Sequence, residues 1–158
     1  MPRLTLFAAI AATVVVGACA TTPAPTSVAQ TISANPQLTT ASRLIQEAGL
    51  TDTLQGPGPY TVFVPSDAAF KAVPPAMIDA LGKDKARLKA VLGYHVVPGT
   101  LASADVKNGP IKTTQGAELS LYKSGQFVTA DEAVVTTADV RASNGVVHIV
   151  DKVLMPPK

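Results

Sequence analysis

Tryptophan is absent, cysteine occurs once, and the aromatic side chains of the 158 residues are four Phe and three Tyr. So few π faces offer little on which bases could stack, and 13 Lys and Arg against 11 Asp and Glu supply no strong positive field. Nucleic acid is not an expected partner. One cysteine forms no intramolecular disulfide and no multi-thiolate zinc site, and the two histidines, His95 and His148, lie 53 positions apart without metal-ligand spacing. No metal and no cofactor is expected. The sequence also lacks a Gly-x-x-x-x-Gly-Lys-Ser/Thr phosphate loop, a Gly-x-Gly-x-x-Gly fingerprint, an EF-hand pattern and a Gly-x-Ser-x-Gly elbow, so enzyme chemistry has no positive support. Charge is scarce too, at 15% against 47% hydrophobic residues, which argues for one folded domain rather than a disordered polyelectrolyte.

What is present begins with an address. After Arg3, an uncharged and largely apolar run extends from Leu4 to Val16, too short at about 1.5 Å per residue to cross a ~30 Å hydrocarbon core. Residues 1–18 read as an export signal. Val16-Gly17-Ala18-Cys19 resembles a bacterial lipobox, in which Cys19 becomes the lipidated first residue. Ala18-Cys19-Ala20 also offers, as the alternative, a small-x-small site for cleavage after Ala20, which would leave a periplasmic or secreted protein. Removing the leader takes away only Arg3 among the charges, leaving twelve basic residues against eleven acidic ones, so long-range steering is weak. Residues 19–27, with Pro23 and Pro25 among small polar residues, read as a flexible tether, and residues 28–158 as the domain.

Within the domain, Leu38, Ala41, Ile45 and Ala48 form a helical stripe, with Gly49 as its stop. The Gly56–Pro59 run turns the chain into a strand, Tyr60–Val64, which Pro65 ends. Ser66 or Asp67 then caps a short helix that turns Phe70 inward. Pro74-Pro75 starts a helix through Leu81, and Lys83–Gly93 gives another with Leu88, Val91 and Leu92 buried. Beyond Tyr94 come short β-rich runs, Glu118–Tyr122, Gln126–Ala130, Val134–Val140 and Val146–Val153, which read as antiparallel strands joined by tight turns. Helices in the N-terminal half followed by strands imply an α+β domain without βαβ alternation.

Three segments in order, YTVFVPSDAAF (Tyr60–Phe70), YHVVPG (Tyr94–Gly99) and NGVVHIVDKVLMP (Asn144–Pro156), resemble the fasciclin domain. The resemblance implies a β-sandwich with a helical layer, found in extracellular and cell-surface proteins, with adhesion or interaction as its usual role. In that comparison Val64 stands for the family's Ala and Ser66-Asp67 for its Thr-Asn. Asn144-Gly145 suits a turn needing positive φ.

The same resemblance makes Tyr94 and His95, and the pair Asp105-Val106, candidate partner-binding residues. An exposed Asp can accept charge-assisted hydrogen bonds or complete a partner's metal, and a neighbouring aliphatic adds apolar contact. The competing expectation is that Asp105 caps a short helix or turn with Val106 packed beneath it, and that His95 and His148 are hydrogen-bonded structural residues. Two functions follow. One is a lipid-anchored adhesion or interaction module, joined to the membrane through Cys19 and meeting a protein or glycan on a cell surface or in a matrix. The other is a soluble periplasmic or secreted protein holding a small apolar or saccharide ligand between helices and sandwich. A purely structural envelope role stands as a third.

Overall fold

The computed structural model describes residues 26–157; the leader, Cys19 and most of the tether lie outside them. Ser27 opens the fold with a capping box, its hydroxyl accepting from Gln30 N while Gln30 Oε1 accepts from Ser27 N, and starts α1 (Val28–Ala34). Helix α2 (Thr39–Glu47) carries the expected stripe, and Leu38, Ala41, Ile45 and Ala48 are all buried. Gly49 follows at φ +68°, where an L side chain is strained. A further short helix, α3 (Thr51–Gln55), precedes the Gly-Pro turn and β1 (Tyr60–Pro65). Ser66, not Asp67, caps α4 (Asp67–Ala72), accepting from Ala69 N. Asp67 instead reaches back 28 residues to cap α2, its carboxylate accepting from Thr39 Oγ1 at 2.6 Å and Thr40 N at 2.8 Å. Pro75 begins α5 (Pro75–Lys83), and Asp84 caps α6 (Lys85–Tyr94), accepting from Ala86 N and Arg87 N.

The strands that follow are β2 (Val96–Pro98), β3 (Gly109–Lys112), β4 (Glu118–Ser124), β5 (Phe127–Ala130), β6 (Ala133–Ala142) and β7 (Gly145–Val150). Their order is β2-β1-β7-β6-β5-β4-β3. All neighbours are antiparallel except β1 and β7, which run parallel from Tyr60↔Gly145 to Pro65↔Val150. The tight-turn reading holds for β4 to β7, but the first long strand pairs with the last, a contact no hairpin signal announces. β6 pairs with β5 only at Ala133 and Val134, then shifts register and continues along β7, so the sheet folds over into two layers. On the other side Thr114 N donates to Val96 O at 2.8 Å, drawing the chain after β3 to β2. The result is a sandwich with a helical layer.

The β6–β7 turn departs from expectation. Neither Asn144 nor Gly145 has positive φ. Gly145 is required because a Cβ there would stand 1.9 Å from Tyr60 O, where β1 begins its pairing alongside β7. Asn144 acts through its side chain, accepting from Val28 N at 2.8 Å and donating to Leu54 O at 2.7 Å and Gly56 O at 2.9 Å. One amide thus satisfies the start of α1 and the end of α3.

Two buried clusters follow from strand alternation. On one side Val62 and Val64 of β1 and Val147 and Ile149 of β7 pack against Ile32, Ile45, Leu54, Leu88 and Leu92 of the helices. On the other, Phe63 and Val150 meet Leu119, Leu121, Val128 and Ala130 from the second layer. β1 and β7, covered on both faces, read as near-continuous apolar runs for that reason.

Candidate interaction surface

Tyr94 and His95 end α6 and are each 2% exposed. The Tyr94 hydroxyl lies 2.6 Å from Asp131 Oδ2 and 3.0 Å from Glu118 O, so its proton serves the carboxylate. Burial, then the hydrogen bond to Asp131, push the phenol above its ordinary range. Asp131, held at φ +50° in the β5–β6 turn, also accepts from Ser120 N at 3.0 Å. Tyr94 therefore bolts the helical layer to the outer sheet. His95 Nδ1 donates to Val91 O at 2.7 Å and its Nε2 accepts from Leu154 N at 3.1 Å, which fits the neutral ring alone. Burial lowers its pKa to about 4, against the opposing pull of the Val91 carbonyl.

His148, opposite Phe63 in the β1–β7 register, stacks on that ring at 5.2 Å. Its Nε2–H donates to Leu101 O at 2.8 Å and Nδ1 accepts from Asp139 N at 3.2 Å. Burial depresses this ring also, against the Leu101 carbonyl and the Asp139 charge. Asp139 sits at φ +58° in mid-strand, and its carboxylate accepts from both Ser103 N, at 2.7 Å, and Ser103 Oγ. Those bonds from Ser103 hold its carboxyl below the usual range, with burial opposing. Serine, aspartate and histidine thus meet, but Ser103 donates to the aspartate and both ring nitrogens of His148 are engaged by backbone. The arrangement is a clasp that holds the 99–106 loop on β6; a nucleophile would need its hydroxyl on the histidine.

That loop carries the other candidates. Asp105 is exposed, its N–H closing a turn on Ala102 O at 2.9 Å, while Val106 is buried in the same cluster as Tyr94. Asp105 opens on a surface cleft of about 530 Å³, which Asp139, Arg141 and Asn144 also line. The structure therefore puts Tyr94, His95 and Val106 inside and Asp105 outside, and Cys19 falls outside the described residues. The space between helices and sheet, lined by Ala41, Ile45, Leu54, Val62, Leu92 and His95, measures about 10 Å³. That is at the limit for one water and cannot receive the small ligand placed there by the alternative reading.

The outward face of β4, β5 and β6 was not singled out by sequence. Tyr122 is 56% exposed and Phe127 71%, with half-open Val134 beside them. Register puts Tyr122, Thr129 and Val134 in one row across three strands, with Phe127 diagonal to Tyr122. The signal was available in ELSLYKS, where Leu119 and Leu121 alternate with Tyr122 and so commit it to the opposite face.

These features define a class: a small α+β sandwich under a helical layer whose buried polar groups tie elements together. The fasciclin domain family matches residues 36–156, and the chain belongs to that family. It is 35% identical over 140 residues to the protein sll1483 of Synechocystis sp., covering 87% of this chain and 78% of that one. Immunogenic protein MPB70 of Mycobacterium bovis is 38% identical over 135 residues, covering 82% and 69%. Cell surface glycolipoprotein MPB83 of the same species is 37% identical, covering 82% of this chain and 60% of that protein. Among solved structures, a FAS1 domain pair from the insect cell adhesion molecule fasciclin I superposes with a TM-score of 0.73 at 17% identity. The match covers 82% of this chain and about half, 51%, of that one, and is a likeness of fold.

Proposed function

We propose that this protein is a non-catalytic, extracytoplasmic adhesion or interaction module, held at the cell surface by lipid on Cys19. The observation that carries the reading is where the chemistry sits. Both histidines, the residues best suited to acid–base work near neutrality, are buried with both ring nitrogens engaged by backbone. Two of the seven aromatic side chains, by contrast, stand exposed and adjacent on the outer sheet. An exposed aromatic pair of this kind is the usual anchor of a contact surface. Asp105, on a separate cleft, is the exposed polar candidate. The names of two similar proteins, a cell surface glycolipoprotein and a cell adhesion molecule, support the same reading. The partner is a protein or glycan on a neighbouring surface or matrix.

The test is the intact mass of the mature protein in membrane and soluble fractions, with adhesion of cells carrying wild type or Cys19→Ser. A membrane species beginning at Cys19 with acyl mass, and adhesion lost in Cys19→Ser, is the expected result. A soluble species beginning at Thr21 overturns the anchor and makes the protein a diffusible periplasmic or secreted one.

A further inference from the structure

The mature chain is almost neutral, yet its charge is unevenly placed. Lys83, Lys85, Arg87 and Lys89 fall within seven residues at the α5–α6 corner, all exposed, Lys85 and Lys89 on one flank of α6 and Arg87 on the other, with Asp84 as the one acid among them. The carboxylate of Asp84 is engaged as the cap of α6. Nearby Glu47 pairs with Arg43, which among the described residues is the one ion pair present, so none of the four cations is paired. Asp79, one turn before Lys83 on α5, offsets part of the field. α5 also presents apolar surface: Pro74, Pro75, Ala76 and Met77, the last 42% exposed, at its start, and exposed Ala80 one turn before Lys83. Cations beside exposed apolar groups on a helical corner match an anionic bilayer surface, where the long stems of Lys and Arg lie on the apolar boundary and their heads reach phosphates.

The fold also turns this corner towards the tether. Ser143 N donates to Thr26 O at 2.8 Å, so the chain arriving from Cys19 enters beside the β6–β7 turn. α2 starts at the opposite end, under Asp67 beyond β1, and runs back towards α3, whose end Asn144 holds. Glu47, in the last turn of α2, lies against Gly82, where a Cβ would be 3.9 Å from its carboxylate. The α5–α6 corner is thereby carried back to the tether side. The seven residues 19–25 span at most about 25 Å, which keeps that side within reach of an anchoring membrane.

We infer that the α5–α6 corner, through Lys83, Lys85, Arg87 and Lys89, is a docking surface for the anionic phospholipid headgroups of the membrane. The orientation rests on the anchored reading of Cys19; the charge does not. The exposed β4–β6 face remains available to a partner.

The experiment uses the mature chain carrying Cys19→Ser, so that lipid plays no part, and sedimentation with phosphatidylcholine vesicles or vesicles containing about one third phosphatidylglycerol. The expected preference for anionic vesicles is on the order of tenfold to a hundredfold, and is lost in about 1 M salt, where screening falls to about 3 Å. Adding Lys83→Gln, Lys85→Gln, Arg87→Gln and Lys89→Gln removes it without changing the urea midpoint. Lys107→Gln, Lys112→Gln and Lys152→Gln together leave it in place. Equal binding to both vesicles, or equal loss in the second set, overturns the proposal, as does binding to a soluble anionic polysaccharide with no vesicle preference. Failure of the anchor is read separately, in the mass of the native protein.

Discussion

Tyr94 and His95 each join pieces of chain distant in sequence: Tyr94 meets Asp131, and His95 meets Leu154. Tyr94→Phe keeps the ring in the core and strands the acceptors, so it should cost about 1–3 kcal/mol in urea unfolding. The histidines set a pH dependence whose sign is fixed. Native His95 titrates at about 4 and the unfolded ring at its ordinary 6.5, so between those values the unfolded state binds more protons. Stability should fall as pH drops from about 6.5 to 4, by about 3 kcal/mol for full protonation of this ring, and this contribution then levels off. His148 acts in the same sense. Asp67 and Asp139, depressed below the ordinary 3.8, contribute stability above that value that is lost only in stronger acid. Urea midpoints from pH 7.5 to 4 check the window; a flat profile for wild type, or an unchanged slope in His95→Gln, would contradict it. The residue types here were legible in sequence, but not their roles. Nothing local to Tyr94 points to an aspartate 37 positions on.

At the scale of elements, two glycines separate close approach from backbone strain. Gly145→Ala drives a Cβ into Tyr60 O and must part the parallel β1–β7 pair, at a cost of about 3 kcal/mol or more. Gly125→Ala meets nothing within 4 Å, and its φ of +62° at the β4–β5 turn costs only about 1 kcal/mol. Thermal melts of the two should differ accordingly. Asp67→Ala removes the remote cap of α2; the expected loss is about 1–2 kcal/mol, with faster hydrogen exchange at Thr40. Helices α2, α4, α5 and α6 and the hairpins were legible because caps, stripes and turn residues are local signals, whereas α1 was not read, although it opens on a Ser27–Gln30 capping box. The short α3, β2 and β3 carry too few residues to show a period. The β1–β7 pairing was invisible because both strands, buried on two faces, present no alternation from which to read a partner.

Seen whole, the molecule separates framework from contact. The helical layer, the clasp at Asp139 and the Tyr94 bolt hold the sandwich, while Tyr122 and Phe127 stand exposed on the outward face of the outer sheet, whose inward face supplies the core. The most direct measurement pairs adhesion with the unfolding midpoint in cells and purified protein carrying Tyr122→Ser with Phe127→Ser, beside Tyr94→Phe. The expected result is that the exposed pair loses adhesion at unchanged stability, while Tyr94→Phe loses stability and keeps adhesion per folded molecule. Full adhesion without Tyr122 and Phe127, together with its loss in a stable Tyr94→Phe protein, would contradict the separation and return recognition to the Tyr94–His95 segment.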